Sequence, residues 1–279
     1  MDAPFPEFDP DARKVEREEE QPHSGRLRDV SFRVLVPNLI TLGAICSGLT
    51  GIRLADEGRF ELAVVAVVFA ALLDGLDGRV ARFLKSATPF GAQLDSLADF
   101  VNFGVAPAMV LYLWVLKDLH SFGWLVALAF AICGCLRLAR FNVMLDDPNK
   151  PGWSAHFFTG IPAPAGALLA LMPVYLGLLG VERSPVVAAL SAVYLLAIAF
   201  LMVSSLPTWS GKQVGKRVSS RLVLPVMIGI VMLIVLLFSY PWLFLTGSGV
   251  IYLATLPLSY RSYRKFAAAD AKEAAAEST

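Results

Sequence analysis

The sequence is poor in charged residues and in the side chains that soluble enzymes most often use for chemistry. Only 17% of its 279 residues are charged, and it contains three histidines and three cysteines. A soluble domain has roughly a quarter charged residues, so an ordinary soluble globular protein is excluded. The net charge of +1 indicates no particular partner, and we expect no nucleic-acid ligand.

The cysteines offer no basis for a disulfide framework or a zinc site. Cys46, Cys133 and Cys135 all lie in apolar stretches. Cys133 and Cys135 are two residues apart, so on a helix their side chains would point about 200° apart. We therefore interpret all three as small apolar core residues.

What the sequence does contain is a series of long apolar stretches. Hydrophobic residues make up 56% of the chain, and the mean hydropathy is +0.62. A helix needs about 20 mostly apolar residues to cross a bilayer. The stretches predict an all-α polytopic membrane protein with about eight transmembrane helices, over residues 35–53, 60–83, 92–116, 121–140, 160–180, 184–204, 221–239 and 242–260.

The two ends of the chain differ from this apolar region. Residues 1–32 are polar, carry charges of both signs and lack the apolar segment of a signal peptide. We predict a disordered cytosolic tail there, a transmembrane domain over 33–262, and a second cytosolic tail over 263–279, which is frayed or forms a short helix.

The basic residues predict the orientation. With eight spans, the outer turns would hold Arg53, Arg59, Lys117 and Arg183, and the other 20 of the 24 Lys and Arg residues would fall in the tails and inner loops. The positive-inside rule then places both termini in the cytosol, in a membrane of the bacterial inner (plasma) type.

Four aspartates lie in or beside predicted spans. Asp74 and Asp77 are three residues apart, and Asp95 and Asp99 are four apart. Carboxylates in a membrane are costly and usually mark a functional site. Four close together would repel one another unless a cation lay between them, and all-oxygen ligands suit Mg²⁺ or Mn²⁺. The alternative, charged loop residues at the membrane surface, fits one pair better than two.

Small residues accompany the aspartates. Asp74, Asp77, Gly78 and Ala81 fall within an arc of about 100° on one helix, and Gly91 lies one turn before Asp95. A short turn around Pro89 would bring the two helices face to face. The bare glycines would leave room for a nucleotide or diphosphate, and Arg82 is placed to hold phosphate oxygens or a ligating aspartate.

This segment resembles the CDP-alcohol phosphatidyltransferase family. Residues 74–99 match its signature, D-x-x-D-G-x-x-A-R-x8-G-x-x-x-D-x-x-x-D, at every fixed position. The resemblance implies a six-helix core around a hydrophilic cavity, often in a homodimer. It implies metal ligands at Asp74, Asp77, Asp95 and Asp99, with Asp99 also the general base. It further implies cytidine contacts at Gly78 and Ala81, a stabilising role for Arg82 and close approach at Gly91.

Further segments resemble one group within that family, the integral-membrane phosphatidylserine synthases. They are residues 37–41, 103–107, 137–142 and 158–162. The resemblance implies transfer of the phosphatidyl group from CDP-diacylglycerol to the hydroxyl of L-serine, with release of CMP. The substrates would be CDP-diacylglycerol and L-serine, and the surrounding partner would be membrane lipid.

Candidates for binding the acceptor and donor lie outside the signature. Serine carries a carboxylate, which requires a cation, and Arg137 and Arg140 lie on one helix face; anchoring at the membrane surface is the alternative. Asn142, Thr159 and Gly160 are further acceptor candidates. Asn38 and Thr41 are donor candidates at the start of the first span, where a helix start with Pro37 explains them equally well.

Two other functions remain open on the sequence. A synthase of the same family with glycerol 3-phosphate or choline as acceptor would share the aspartate signature. A cation transporter could also carry membrane carboxylates, although it would need a path to both sides, and here the acidic residues gather at one end of two helices.

Overall fold

The structure, a computed structural model, describes residues 32–145, 157–209 and 220–277. These residues form α1 (Phe32–Asp56), α2 (Phe60–Phe83), α3 (Pro89–Asp99), α4 (Ala106–Trp114), α5 (His120–Leu145), α6 (Ala163–Ala170), α7 (Met172–Leu178), α8 (Pro185–Val203), α9 (Ser220–Ser239) and α10 (Pro241–Glu277). Two strands, β1 (Phe157–Thr159) and β2 (Pro207–Trp209), complete the described part.

The eight predicted spans correspond to these helices, with two of the spans interrupted. The third span is α3 and α4, joined by a π-helical segment over Phe100–Val105, and the fifth is α6 and α7. Among the described residues, five helical stretches are long and apolar enough to cross a membrane, and two shorter apolar stretches accompany them. The chain is therefore an all-α integral membrane protein.

The charged helix α2 belongs to the same bundle. It carries Glu61, Asp74, Asp77, Arg79 and Arg82 over 24 residues, and because of these charges it is not among the five stretches named above. It packs along α1, and α1 also contacts α3 and α4. The aspartates of α2 therefore lie inside the bundle and not on a surface loop.

The interruption between α6 and α7 shows how the bundle compensates for a proline. Pro173 lies in the first turn of α7 and lacks the N–H that would bond to the Leu169 carbonyl four residues earlier. The Tyr194 hydroxyl of α8 donates to that carbonyl at 3.0 Å, and the Tyr175 hydroxyl donates to the Leu168 carbonyl at 3.0 Å. Both carbonyls are thus satisfied in a region without water.

At one end of the bundle, an arginine lies between two aromatic rings and so connects the ends of three helices. The Arg183 guanidinium carbon lies 4.6 Å from the centre of the Phe60 ring and 5.4 Å from that of Trp114. Phe60 begins α2, Trp114 ends α4, and Arg183 precedes α8. Three of the four turns predicted to be external therefore meet at the same end, opposite the aspartates.

A small strand pair at the other end was not predicted. Phe157 pairs with Trp209 and Thr159 with Pro207, antiparallel. Gly160 follows β1 with φ +76, and a Cβ there would lie 2.9 Å from the Ser204 carbonyl oxygen, so only glycine fits without strain. The pair joins the α5–α6 and α8–α9 connections.

The last two helices differ from the predicted spans in their surroundings and length. In α9, nearly every side chain from Val223 to Phe238 is exposed and most are apolar, as expected of a helix facing lipid. The last helix continues to Glu277, so residues 263–277, predicted as a tail, extend α10. The predicted tail over 1–32 lies outside the described residues, apart from the first residue of α1.

Candidate metal and nucleotide site

Three of the four predicted aspartates form one cluster. Carboxylate oxygens of Asp74, Asp95 and Asp99 all lie within 4.8 Å of one another. Asp74 comes from α2, and Asp95 and Asp99 come from α3. The two acidic stripes therefore face each other, as their spacing predicted.

The turn between α2 and α3 sets this alignment. The turn contains Lys85, which adopts a positive φ of 51 just after the end of α2. Thr88 then caps α3, because its Oγ1 accepts a hydrogen bond from the Gly91 N–H at 3.0 Å, and Pro89 occupies the first turn, where its missing N–H costs nothing.

Asp77 lies beside the cluster and is held by α1. The Thr41 hydroxyl donates to Asp77 Oδ2 at 2.6 Å, and the two residues are 4% and 3% exposed. Asp77 does not belong to the group of three, although it lies one turn from Asp74 on α2. Its predicted role as a metal ligand stays a prediction.

The cluster fits a hard divalent cation. Asp99 Oδ1 is buried and has no hydrogen-bond partner among the described residues. Buried carboxylate oxygens without donors are costly, and three carboxylates this close repel one another. A bound Mg²⁺ or Mn²⁺ would satisfy both requirements with ligands of the type it prefers.

A cavity of about 220 Å³ adjoins the cluster. It is lined by α1, α2, α3 and the turn between α2 and α3. Asp77 and Asp95 contribute to its wall. All six residues predicted to bind the CDP-lipid line it as well: Asn38, Thr41, Gly78, Ala81, Arg82 and Gly91.

The two glycines of the signature keep this cavity open in different ways. No atom lies within 4 Å of the position that a Cβ of Gly78 would occupy, so a larger side chain would project into free space. A Cβ on Gly91 would lie 3.1 Å from Asn38 Oδ1 and 3.2 Å from Thr88 Oγ1. At Gly91, a side chain would push α1 and α3 apart.

The two predicted acceptor arginines have different surroundings. Arg140 donates to the carbonyl oxygens of Val203 at 2.7 Å and Ser204 at 3.1 Å, at the C-terminus of α8, where a cation is favourable. Arg137 is 7% exposed, lies 5.2 Å from the centre of the Phe141 ring and interacts electrostatically with Asp99. The structure therefore favours anchoring for Arg140 and leaves Arg137 as the cation next to the cluster.

The other acceptor candidates make local contacts. The Asn142 side-chain amide donates to Ser96 Oγ at 3.0 Å, which ties α5 to α3. Thr159 pairs with Pro207 in the strand pair, and the Gly160 N–H donates to the Leu206 carbonyl at 2.8 Å. These contacts account for the three residues structurally, and their part in acceptor binding stays a prediction.

Two polar residues near the site were missed in the sequence. Asn102 is fully buried in the π-helical segment, three residues after Asp99, and its side chain has no hydrogen-bond partner among the described residues. A polar asparagine within an apolar predicted span is uncommon, and this could have marked Asn102 from the sequence alone. Tyr252 of α10 interacts electrostatically with Arg137, and nothing local in the sequence connects those two residues.

Together, the helical bundle and the aspartate cluster define a polytopic membrane protein with a carboxylate-rich centre beside a cavity. Residues 34–204 match the sequence profile of the CDP-alcohol phosphatidyltransferase family, and residues 221–257 match that of CDP-alcohol phosphatidyltransferase 2. The first match covers more than half of the chain, and the chain belongs to the CDP-alcohol phosphatidyltransferase family.

Curated relatives share about half of the chain. A protein of Mycobacterium bovis named CDP-diacylglycerol–serine O-phosphatidyltransferase is 49% identical over 141 residues, which is 50% of this chain and 49% of that protein. A protein of the same name from Helicobacter pylori is 42% identical over 142 residues, which is 51% of this chain and 58% of that protein. One from Bacillus subtilis is 38% identical over 138 residues, which is 49% of this chain and 74% of that protein. The match to the mycobacterial relative thus spans about half its length.

Proposed function

We propose that this protein transfers the phosphatidyl group of CDP-diacylglycerol to the hydroxyl of L-serine and releases CMP. The observation that carries the proposal is the cluster of Asp74, Asp95 and Asp99. It lies beside a cavity lined by all six residues that the sequence predicted to bind the CDP-lipid. The names of the curated relatives support serine as the acceptor.

In this proposal the carboxylates hold a divalent cation, Mg²⁺ or Mn²⁺. Asp74, Asp95 and Asp99 would ligate it, with Asp77 next to them. When bound, such an ion neutralises diphosphate charge and makes the phosphorus more electrophilic. Thr41 holds the Asp77 carboxylate in place through its 2.6 Å hydrogen bond.

Asp99 is the proposed general base. The serine hydroxyl oxygen forms a bond to the lipid-bearing phosphorus, and the bond from that phosphorus to the CMP oxygen breaks. The hydroxyl proton passes to an Asp99 oxygen, and CMP leaves with the bonding electron pair. A carboxylate has two oxygens, so Asp99 would ligate the ion through one of them and accept the proton at the other.

The proposed orientation places this site at the cytosolic face of the membrane. The turns around Arg59, Lys117 and Arg183 would lie outside, and the strand pair and aspartates inside. The clustering of Phe60, Trp114 and Arg183 at one end supports this arrangement. Labelling of single cysteines introduced at Arg59 and in the 210–219 loop, with a membrane-impermeant reagent, tests it.

The test of function is CMP release by the purified protein from CDP-diacylglycerol, with Mn²⁺ or Mg²⁺, against a panel of acceptors. We expect release with serine and formation of the corresponding lipid, and background rates with choline. Release only with glycerol 3-phosphate would assign a different acceptor, and no release with any acceptor would contradict transferase activity. The homodimer also stays a prediction, which light scattering in detergent tests.

A further inference from the structure

The last helix lies outside the part of the chain that matches the first family profile, yet it is packed into the bundle. Trp242, Leu245 and Leu253 pack against the core, and Gly249 approaches α6 and α7 closely. A Cβ on Gly249 would lie 2.6 Å from Met172 Cε and 3.3 Å from Leu169 Cδ2. The position of α10 is thus set by close packing along its inner face.

The same inner face carries a tyrosine, Tyr252, whose hydroxyl is buried. This hydroxyl has no hydrogen-bond partner among the described residues. It lies beside Thr208 of β2, whose own hydroxyl proton is donated to the Gly160 carbonyl at 2.9 Å. Burying a hydroxyl without a good acceptor is costly, so a ligand group that accepts a hydrogen bond from it would recover that cost.

Arg137 of α5 is a buried cation that lies within electrostatic range of Tyr252. It interacts electrostatically with Tyr252 and with Asp99. Its guanidinium makes no hydrogen bond within the described ranges, whereas Arg140, one turn further on, is bonded to the end of α8. Arg137 is therefore a buried donor that interacts with both Tyr252 and the proposed base, and Tyr252 offers a second donor beside it.

Two such donors suit one kind of ligand group. A guanidinium presents parallel N–H groups that match a carboxylate, and a phenol O–H can donate to the same group. A quaternary ammonium or a primary amine has no oxygen to accept these bonds. The pair thus distinguishes acceptors that carry a carboxylate from those that carry only an amine.

We propose that Tyr252, together with Arg137, binds the carboxylate of the acceptor, so that the last helix helps to select the acceptor alcohol. This proposal rests on the proposed function, since it assigns part of the site for that reaction. Tyr252 is a specificity-determining residue here and takes no part in proton transfer.

The experiment compares Tyr252→Phe with Tyr260→Phe, a tyrosine of the same helix that is exposed. Both changes remove one hydroxyl and keep the ring. We expect Tyr252→Phe to raise the KM for serine about 10-fold or more, the loss typical of one hydrogen bond to a charged group, with the KM for CDP-diacylglycerol unchanged. Tyr260→Phe should behave as the parent protein.

A second comparison uses ethanolamine, which is serine without its carboxylate. The preference for serine over ethanolamine is the ratio of their kcat/KM values. In Tyr252→Phe this ratio should fall by the same factor by which the KM for serine rises. An unchanged KM for serine, or equal rises for both substrates, would overturn the role of Tyr252. If the parent protein used no serine at all, the proposed function itself would fail, and the two failures are therefore distinguishable.

Discussion

Thr41 of α1 and Asp77 of α2 form a hydrogen bond of 2.6 Å between two buried side chains, from the Thr41 hydroxyl to Asp77 Oδ2. The Pro37 carbonyl, one turn earlier in α1, also lies 3.1 Å from the same hydroxyl. The bond joins the helix that opens the bundle to the helix that carries half of the signature. It therefore fixes two residues of the cavity wall relative to each other, next to the carboxylate cluster.

Replacing Thr41 with Val should weaken this link. Valine keeps the shape of threonine but leaves Asp77 without its only hydrogen-bond donor from a side chain in the described ranges. We expect a loss of about 1–3 kcal/mol in the free energy of unfolding, seen as a lower melting temperature in detergent. Thr41→Ser keeps the hydroxyl and should lose much less; equal losses in both variants would assign the effect to packing.

Removing one carboxylate from the cluster should have opposite effects with and without metal. Asp95→Asn relieves repulsion with Asp74 and Asp99, so in EDTA the variant should melt at a higher temperature than the parent. In Mn²⁺ the parent should be stabilised, and the variant much less. Asp118→Asn, at the opposite end of the bundle, is the control. A variant stabilised by Mn²⁺ as strongly as the parent would count against a metal at the cluster.

Asp99→Asn tests the proposed base. An amide cannot accept the proton of the attacking hydroxyl, so CMP release should fall by roughly 10²–10⁴, the usual contribution of a general base. Binding of CDP-diacylglycerol, measured by thermal shift, should survive. Activity close to that of the parent would remove Asp99 from this role.

The two arginines of α5 should separate into a substrate-binding and a structural residue. Arg140→Met loses the bonds to the end of α8 and should lower the melting temperature, with losses of about 1.5–3 kcal/mol expected for charged hydrogen bonds. Arg137→Met should instead raise the KM for serine with little effect on that for CDP-diacylglycerol. The reverse pattern, with serine dependence lost in Arg140→Met, would restore Arg140 as the acceptor cation.

Most of the helices could be predicted because crossing a bilayer imposes one simple requirement. A segment such as 184–204 must be apolar over its length and must satisfy its own backbone, so composition alone indicates a helix, found at Pro185–Val203. The interruptions were harder to predict. Pro173 and Pro107 are visible, but whether a proline kinks, breaks or merely starts a turn depends on donors from other helices, here Tyr194.

The local spacing of the aspartates was enough to predict two facing acidic stripes, because residues three or four apart share a helix face. It did not separate Asp77 from the other three, since that depends on the position of Thr41, 36 residues earlier in the chain. In the same way, Arg137 and Arg140 look equivalent on a helical wheel. They differ because the end of α8 accepts hydrogen bonds from only one of them.

The order of apolar and acidic residues along the chain was therefore sufficient to indicate a helical membrane protein with paired carboxylates, since helix periodicity and membrane insertion act on neighbouring residues. The packing of distant segments determined the strand pair, the hydrogen bond between Thr41 and Asp77, and the contact of α10 with β2. These features depend on contacts between residues far apart in the chain, whose partners are set only when the whole bundle closes.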